Sequence, residues 1–279
     1  FVARSFGDFE LTVGRQTVVW GEANMLTTVD VINPRDQREP GIGELETLRL
    51  AVLGTRLGYF KKQHRVEAMV VHELNLGLMP APFSEFSPLK ALLASDPAAA
   101  ALLNDKVLRL GEVDEPLHPR NWGGFLRWVY KGSGIDLGLY GAWLPDRQGV
   151  LNLDAATIIG FQSANEIRLP MEHPRYFMVG HSGAIPRGSW TFRWEVLGEL
   201  DKSYNTGSFD QAQLLSSISC RPVNGMPSPC TPEEAAFPLG VQKTHFITGM
   251  LGAAWQGPDD VTVMVEGSRG VFTERPEGL

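Results

Sequence analysis

Polar and apolar residues alternate along much of this chain with the period of two that extended backbone imposes. In residues 124–131, Leu126, Trp128 and Tyr130 share one face, and Phe125, Arg127, Val129 and Lys131 share the other. In residues 135–144, Ile135, Leu137, Leu139 and Trp143 oppose Asp136, Gly138 and Tyr140. Gly132, Ser133 and Gly134 lie between the two and predict a hairpin. Residues 190–200 alternate as cleanly, with Trp190, Phe192, Trp194 and Val196 against Thr191, Arg193, Glu195 and Glu199. Val261, Val263 and Val265 oppose Thr262, Met264 and Glu266. Weaker patterns cover residues 9–20, 48–60, 65–75, 176–185 and 243–255, giving nine expected strands. Helical signals fall only between strands. Ser87-Pro88 and Asp96-Pro97 each read as an N-cap followed by a first-turn proline, and residues 208–217 suit a third short helix.

The connections carry more information than the strands. In order they are 22–47, 61–64, 76–121, 132–134, 145–175, 186–189, 201–242 and 256–260, alternately long and short. In an antiparallel meander this places every long connection at one end of the sheet. Outer-membrane barrels are built that way, whereas soluble sandwiches mix loop lengths at both ends. The expected fold is therefore all-β, an antiparallel up-and-down transmembrane β-barrel forming one domain over residues 1–279. Nine strands leave a barrel open, so the expectation is part of a larger barrel that lacks strands at one or both ends.

Face chemistry points the same way. Aromatic residues mark strand ends (Trp20, Tyr59, Trp122, Trp128, Tyr130, Trp143, Tyr176, Trp190 and Trp255), where membrane barrels carry their girdles. Charges assigned to the opposite faces are Arg15, Glu67, Arg127, Asp136, Arg193, Glu195 and Glu266. A charge facing lipid costs about 2–4 kcal/mol at the midplane, so these are expected to point into a lumen.

Composition narrows the classes. With 25 Lys and Arg against 32 Asp and Glu, the net charge of −7 removes the basic footprint of a nucleic-acid binder. A content of 43% hydrophobic and 20% charged residues argues against disorder. No apolar run approaches the roughly 18–20 residues of a membrane helix. Cys220 and Cys230 stand close together in a Pro-, Ser- and Gly-rich stretch. They suit a local disulfide in an oxidising compartment, the alternative being two unrelated free thiols.

Gly180-His181-Ser182-Gly183 invites a hydrolase reading, but Ala184 stands where a nucleophile elbow needs glycine. On a strand, His181 and Ser182 also point to opposite faces. The six histidines lack metal-ligand spacing, and phosphate-loop and dinucleotide fingerprints are missing. No catalysis, metal or cofactor is expected.

One block is more specific than any pattern. Gly14-Arg15-Gln16 leads through Val18-Val19-Trp20-Gly21-Glu22 to Asp30-Val31-Ile32-Asn33-Pro34-Arg35-Asp36 and Arg38-Glu39. It resembles a bacterial family of unknown function, found in Gram-negative species and regarded as porin-like outer-membrane barrels. Phe125-Leu126-Arg127-Trp128, Met178-Val179-Gly180 and residues 190–195 extend the likeness over most of the chain. The resemblance implies an outer-membrane location and partnership with periplasmic and inner-membrane transporter components. It brings no established catalytic residues.

Asp30, Arg35, Asp36, Arg38 and Glu39 crowd one loop, and arginine forks pair strongly with carboxylates in sheltered sites. Together with Arg15, Arg127, Arg193 and Glu195 they are the candidates for a lumen constriction that screens solutes. The plainer alternative is a loop staple without solute contact. The expected function is an outer-membrane channel for small molecules, hydrophobic ones included. The rivals are a non-conducting barrel that docks envelope partners and a soluble secreted β-sandwich that binds a ligand.

Overall fold

The computed structural model describes residues 1–39, 45–81, 84–87, 107–110, 113, 115–151, 153–154, 166–169, 171–206, 236–237, 240–259 and 261–276. Ten strands form one antiparallel sheet in which each strand pairs with its neighbours in sequence. They are β1 (Val2–Phe6), β2 (Phe9–Gln16), β3 (Val52–Lys61), β4 (His64–Val71), β5 (Gly123–Gly132), β6 (Ile135–Pro145), β7 (Arg175–Arg187), β8 (Trp190–Asn205), β9 (Val241–Gln256) and β10 (Thr262–Phe272). The edge strands β1 and β10 do not pair with each other, so the sheet is open among the described residues. A sandwich needs a second large sheet, and the remaining described strands form only two-stranded pairs.

The tenth strand is β1, which the alternation pattern did not reveal. It pairs with β2 from Val2↔Val13 to Phe6↔Phe9 across the turn at Gly7 and Asp8. That turn adds a short connection ahead of the first long one, and the long–short alternation continues through it. The hairpin at Ser133 and Gly134 has positive φ at both residues, 55° and 74°. This is the primed-turn geometry that matches strand twist.

The two faces of the sheet differ sharply. The outer face exposes Leu11, Val13, Leu57, Leu126, Leu139, Trp143, Phe177, Val179, Phe192, Val196 and Leu251, the last at 73%. The inner face carries the buried residues Thr12, Glu67, Met69, Phe125, Arg127, Tyr140, Met178, Ser182, Glu195 and Met250. Aromatic rings collect at both ends of the outer face. At the short-turn end Phe9 meets Tyr59 (4.9 Å), His64 stacks on Trp128 (5.8 Å) and Trp190 meets Trp255 (6.5 Å). At the long-connection end Trp143 stacks on Phe177 (6.1 Å) beneath the Arg175 guanidinium (3.8 Å).

Two of the nine strand-end aromatics belong elsewhere. β2 stops at Gln16, and Trp20 turns onto the inner face, 2% exposed, against Phe125 and Tyr140. Tyr176 is likewise buried in the inner core. The helices expected after Ser87 and Asp96 and over residues 208–217, together with Cys220 and Cys230, lie outside the described residues.

Candidate functional site: an inward segment latched to the sheet

After β2 the chain enters the concavity of the sheet. Val18, Trp20, Val29 and Ile32 pack there with Val52, Met69, Val71, Phe125, Tyr140, Leu144, Tyr176, Met178 and Leu197 to form the hydrophobic core. The core therefore lies between residues 17–34 and the inner face of the sheet.

Glu195 holds the segment most firmly. Its side chain is fully buried, and Oε1 accepts the amides of Glu22 (2.7 Å) and Ala23 (2.9 Å). Oε2 accepts the amides of Thr28 (2.7 Å) and Val29 (3.2 Å) and the Thr28 hydroxyl (3.0 Å). One carboxylate thus ties both limbs of the inward turn. Glu266 repeats the device, accepting the amides of Asn24 (2.9 Å), Met25 (2.8 Å) and Leu26 (2.9 Å). Hydrogen bonds to an ionised acceptor are roughly twice as strong as neutral ones. Gly21 makes the approach possible: its φ is +93°, and a Cβ there would lie 2.1 Å from Glu195 Oε1.

The return limb is fastened at the long-connection end. Asp30 accepts the Trp20 amide (3.3 Å) and pairs with Arg49 (2.7 Å) and, more distantly, Arg35 (3.8 Å). Asn33 accepts the Val18 amide (2.9 Å) and donates to the Leu50 carbonyl (2.8 Å). Arg147 donates to the carbonyls of Val31 (2.6 Å) and Ile32 (2.5 Å). Burial lowers this guanidinium's pKa to about 10. Beside it, burial pushes the Asp146 carboxyl up, opposed chiefly by Lys202. A cavity of about 470 Å³ opens here, with Arg35, Asp146, Arg147, Tyr176 and Lys202 in its wall.

The sequence candidates divide into three groups. Asp30, Arg127, Arg193 and Glu195 lie at or on the inner face, and the structure brings Asp30, Arg127 and Glu195 together through the inward segment. Arg35 sits at its rim and donates to Thr27 (2.5 Å). Arg38 and Glu39 are exposed, and Arg38 pairs with nearby Asp36 (2.7 Å). The Arg38 hydrogen bond holds the Asp36 carboxyl below its ordinary value. Arg15 departs from the inward assignment. It shares the outer parity of Phe9, Leu11 and Val13, its side chain is 59% exposed, and it pairs with Glu73 at the strand end (2.8 Å).

Besides Arg49, the partner of Asp30, the sequence reading missed three contributors. Glu266 had been placed on an inner face but given no role. Tyr140, whose hydroxyl meets the Gly21 amide (3.2 Å) and the Ser182 hydroxyl (2.8 Å), had been placed on the face opposite Leu139 and Trp143 and given no role. Arg147 lies outside any period-two pattern and gave no signal. His181 and Ser182 do lie on opposite faces: His181 accepts from the Trp194 indole (3.1 Å), while Ser182 meets Tyr140. Among the described residues no cluster of three His, Cys, Asp or Glu could hold a metal ion.

The fold and site define an all-β protein, a ten-stranded antiparallel meander whose concavity is filled by a latched segment. The chain belongs to the family described as "Protein of unknown function (DUF1302)", whose profile matches residues 1–269. No curated protein and no solved structure matches it.

Proposed function

We propose that the chain is wall and gate of an outer-membrane β-barrel that passes small molecules, hydrophobic ones included. The carrying observation is the inversion of the sheet: large apolar side chains are exposed on its outer face, while Glu67, Arg127 and Glu195 are buried on its inner face. A soluble sheet would hide the first set and solvate the second. Trp190 and Leu200 lie ten residues apart on β8, and Leu200 pairs with Phe177 of the other aromatic group. At about 3.3 Å per residue and a tilt of about 40°, that separation spans roughly 25 Å, the height of a barrel's apolar band. The strands alternate short and long connections, so the long ones share the end that faces outward in such barrels. No helix among the described residues is long and apolar enough to cross a membrane, which says nothing of strands.

In this reading residues 17–34 form the constriction, and Glu195 and Glu266 set its position. The filling of the concavity by Val18, Trp20, Val29 and Ile32 also favours a second reading, a closed barrel that docks envelope partners such as periplasmic or inner-membrane transporter components. Conductance in planar bilayers separates the two. Stepwise conductance that increases when the latch is weakened supports the gated channel. Silence of both native and unlatched protein supports the docking barrel.

A further inference from the structure

At the short-turn end of the inner face a second cavity, of about 430 Å³, opens beside the β3–β4 turn. Lys62, Arg65, Arg127 and Lys131 line it, with Glu22 as the one carboxylate in its wall. Behind the wall Glu67 is shared by three arginines. Arg65 and Arg127 pair with its two oxygens, and Arg56 stands 3.6 Å away. Arg56 also reaches Glu10 (3.4 Å), and Lys131 is drawn to Asp136 (3.3 Å) and Glu22 (3.9 Å). Counting these neighbours, cations still outnumber carboxylates locally, in a chain whose net charge is −7.

The arginines are held in place and not saturated. The Arg65 guanidinium lies over the Phe60 ring at 4.7 Å. Arg127, itself only 9% exposed, spends one Nη on the Val19 carbonyl (3.0 Å) and the other on Glu67. The Nε of each is buried without a hydrogen-bond partner among the described residues, as is Glu67 Oε2 beside them, so these atoms face the protein interior and the cavity presents the rest of each guanidinium. Lys62 adds an exposed cation from the turn, with no ion pair or side-chain hydrogen bond among the described residues. Guanidinium forks suit planar or tetrahedral oxyanions, and the volume admits a small solute.

We infer that this cavity binds a small oxyanion, a carboxylate or phosphate group carried by a small solute, between Arg65, Arg127 and Lys62. Its place in solute passage rests on the reading of the concavity as a lumen, but the binding itself does not. Charge-assisted contacts at a half-open site give each cation roughly a fivefold share in affinity.

The test is calorimetric titration of inorganic phosphate into the purified, detergent-solubilised protein at low ionic strength, with succinate as a second probe. Saturable one-to-one binding is expected, weakened about fivefold in Arg65→Gln and in Lys62→Gln and suppressed by high chloride. Lys62→Gln removes an exposed turn side chain that has no partner among the described residues, so it reports on the site even if Arg65→Gln fails to fold. Absence of saturable binding, or equal binding by native protein and Lys62→Gln, overturns the inference. Binding without conductance leaves this site standing and removes the channel. Conductance without phosphate or succinate binding does the reverse.

Discussion

Glu195, on the inner face of β8, accepts both the amide and the hydroxyl of Thr28, 167 residues earlier in the chain, at 2.7 and 3.0 Å. The same carboxylate also accepts the amides of Glu22 and Ala23. A buried charge is costly unless hydrogen bonds replace its lost water, and here five donors do so. In the proposed channel, a charge that would line an open pore instead fastens the segment that narrows it.

Replacing Glu195 by alanine leaves those half-buried amides without their acceptor, at about 1–3 kcal/mol for each group that water does not reach. Hydrogen exchange at residues 22–29 is expected to accelerate by orders of magnitude while the β5–β6 hairpin stays protected. Unchanged protection at Thr28 would remove the latch. Glu195→Gln keeps one acceptor oxygen and should fall between.

Gly21→Ala should mimic part of this loss with the carboxylate still present. The added Cβ would meet Glu195 Oε1 at 2.1 Å, and the backbone φ of +93° disfavours any side chain. Strain of this kind costs on the order of 1–3 kcal/mol. A lowered unfolding midpoint, with amides 22–23 exposed to exchange, is the expected result.

Trp20 and Trp143 allow a paired comparison. Trp20→Ala empties a core site against Phe125 and Tyr140 and should cost about 3–5 kcal/mol. Trp143 is 48% exposed on the outer face, so Trp143→Ala should cost far less in detergent. Equal losses in denaturant titrations would contradict the assignment of faces.

The Asp36–Arg38 pair gives a pH prediction of definite sign. Arg38 lowers the Asp36 pKa in the folded protein. The pair's contribution is therefore fully present above the ordinary carboxylate value, about 3.9, and is lost as pH falls through the depressed folded value. Carboxyl NMR of Asp36 should titrate below that ordinary value, and Arg38→Ala should return it there.

Much of the architecture was legible because one physical rule, period-two facing, governs most of β5 to β10. Leu126 and Arg127, or Val196 and Glu195, could be assigned from parity alone. The same rule explains the errors around the family signature. Phe9, Leu11 and Val13 hold odd parity, and Arg15 follows them outward; its charge had suggested the reverse. The apolar positions then change to even numbers at Val18 and Trp20, a sign that the outer face has ended and an inward segment has begun. β1 is short, and Arg4 interrupts the face that Val2 and Phe6 share, so no period-two pattern marks it. The latch itself was not legible. Its donors are backbone amides, which every residue possesses, and no pattern in one sequence says which carboxylate they will meet.

Spin labels test the central claim, that the outer face of this sheet meets lipid, most directly. Labels would replace Leu126, Phe192, Val196 and Leu251 on the outer face and Thr191 and Thr248 on the inner face, in protein reconstituted into bilayers. The outer labels should be relaxed strongly by dissolved oxygen and weakly by an aqueous nickel complex, with the dependence reversing or disappearing at the inner positions. Outer labels as accessible to the nickel complex as those in the short turns would contradict the barrel wall.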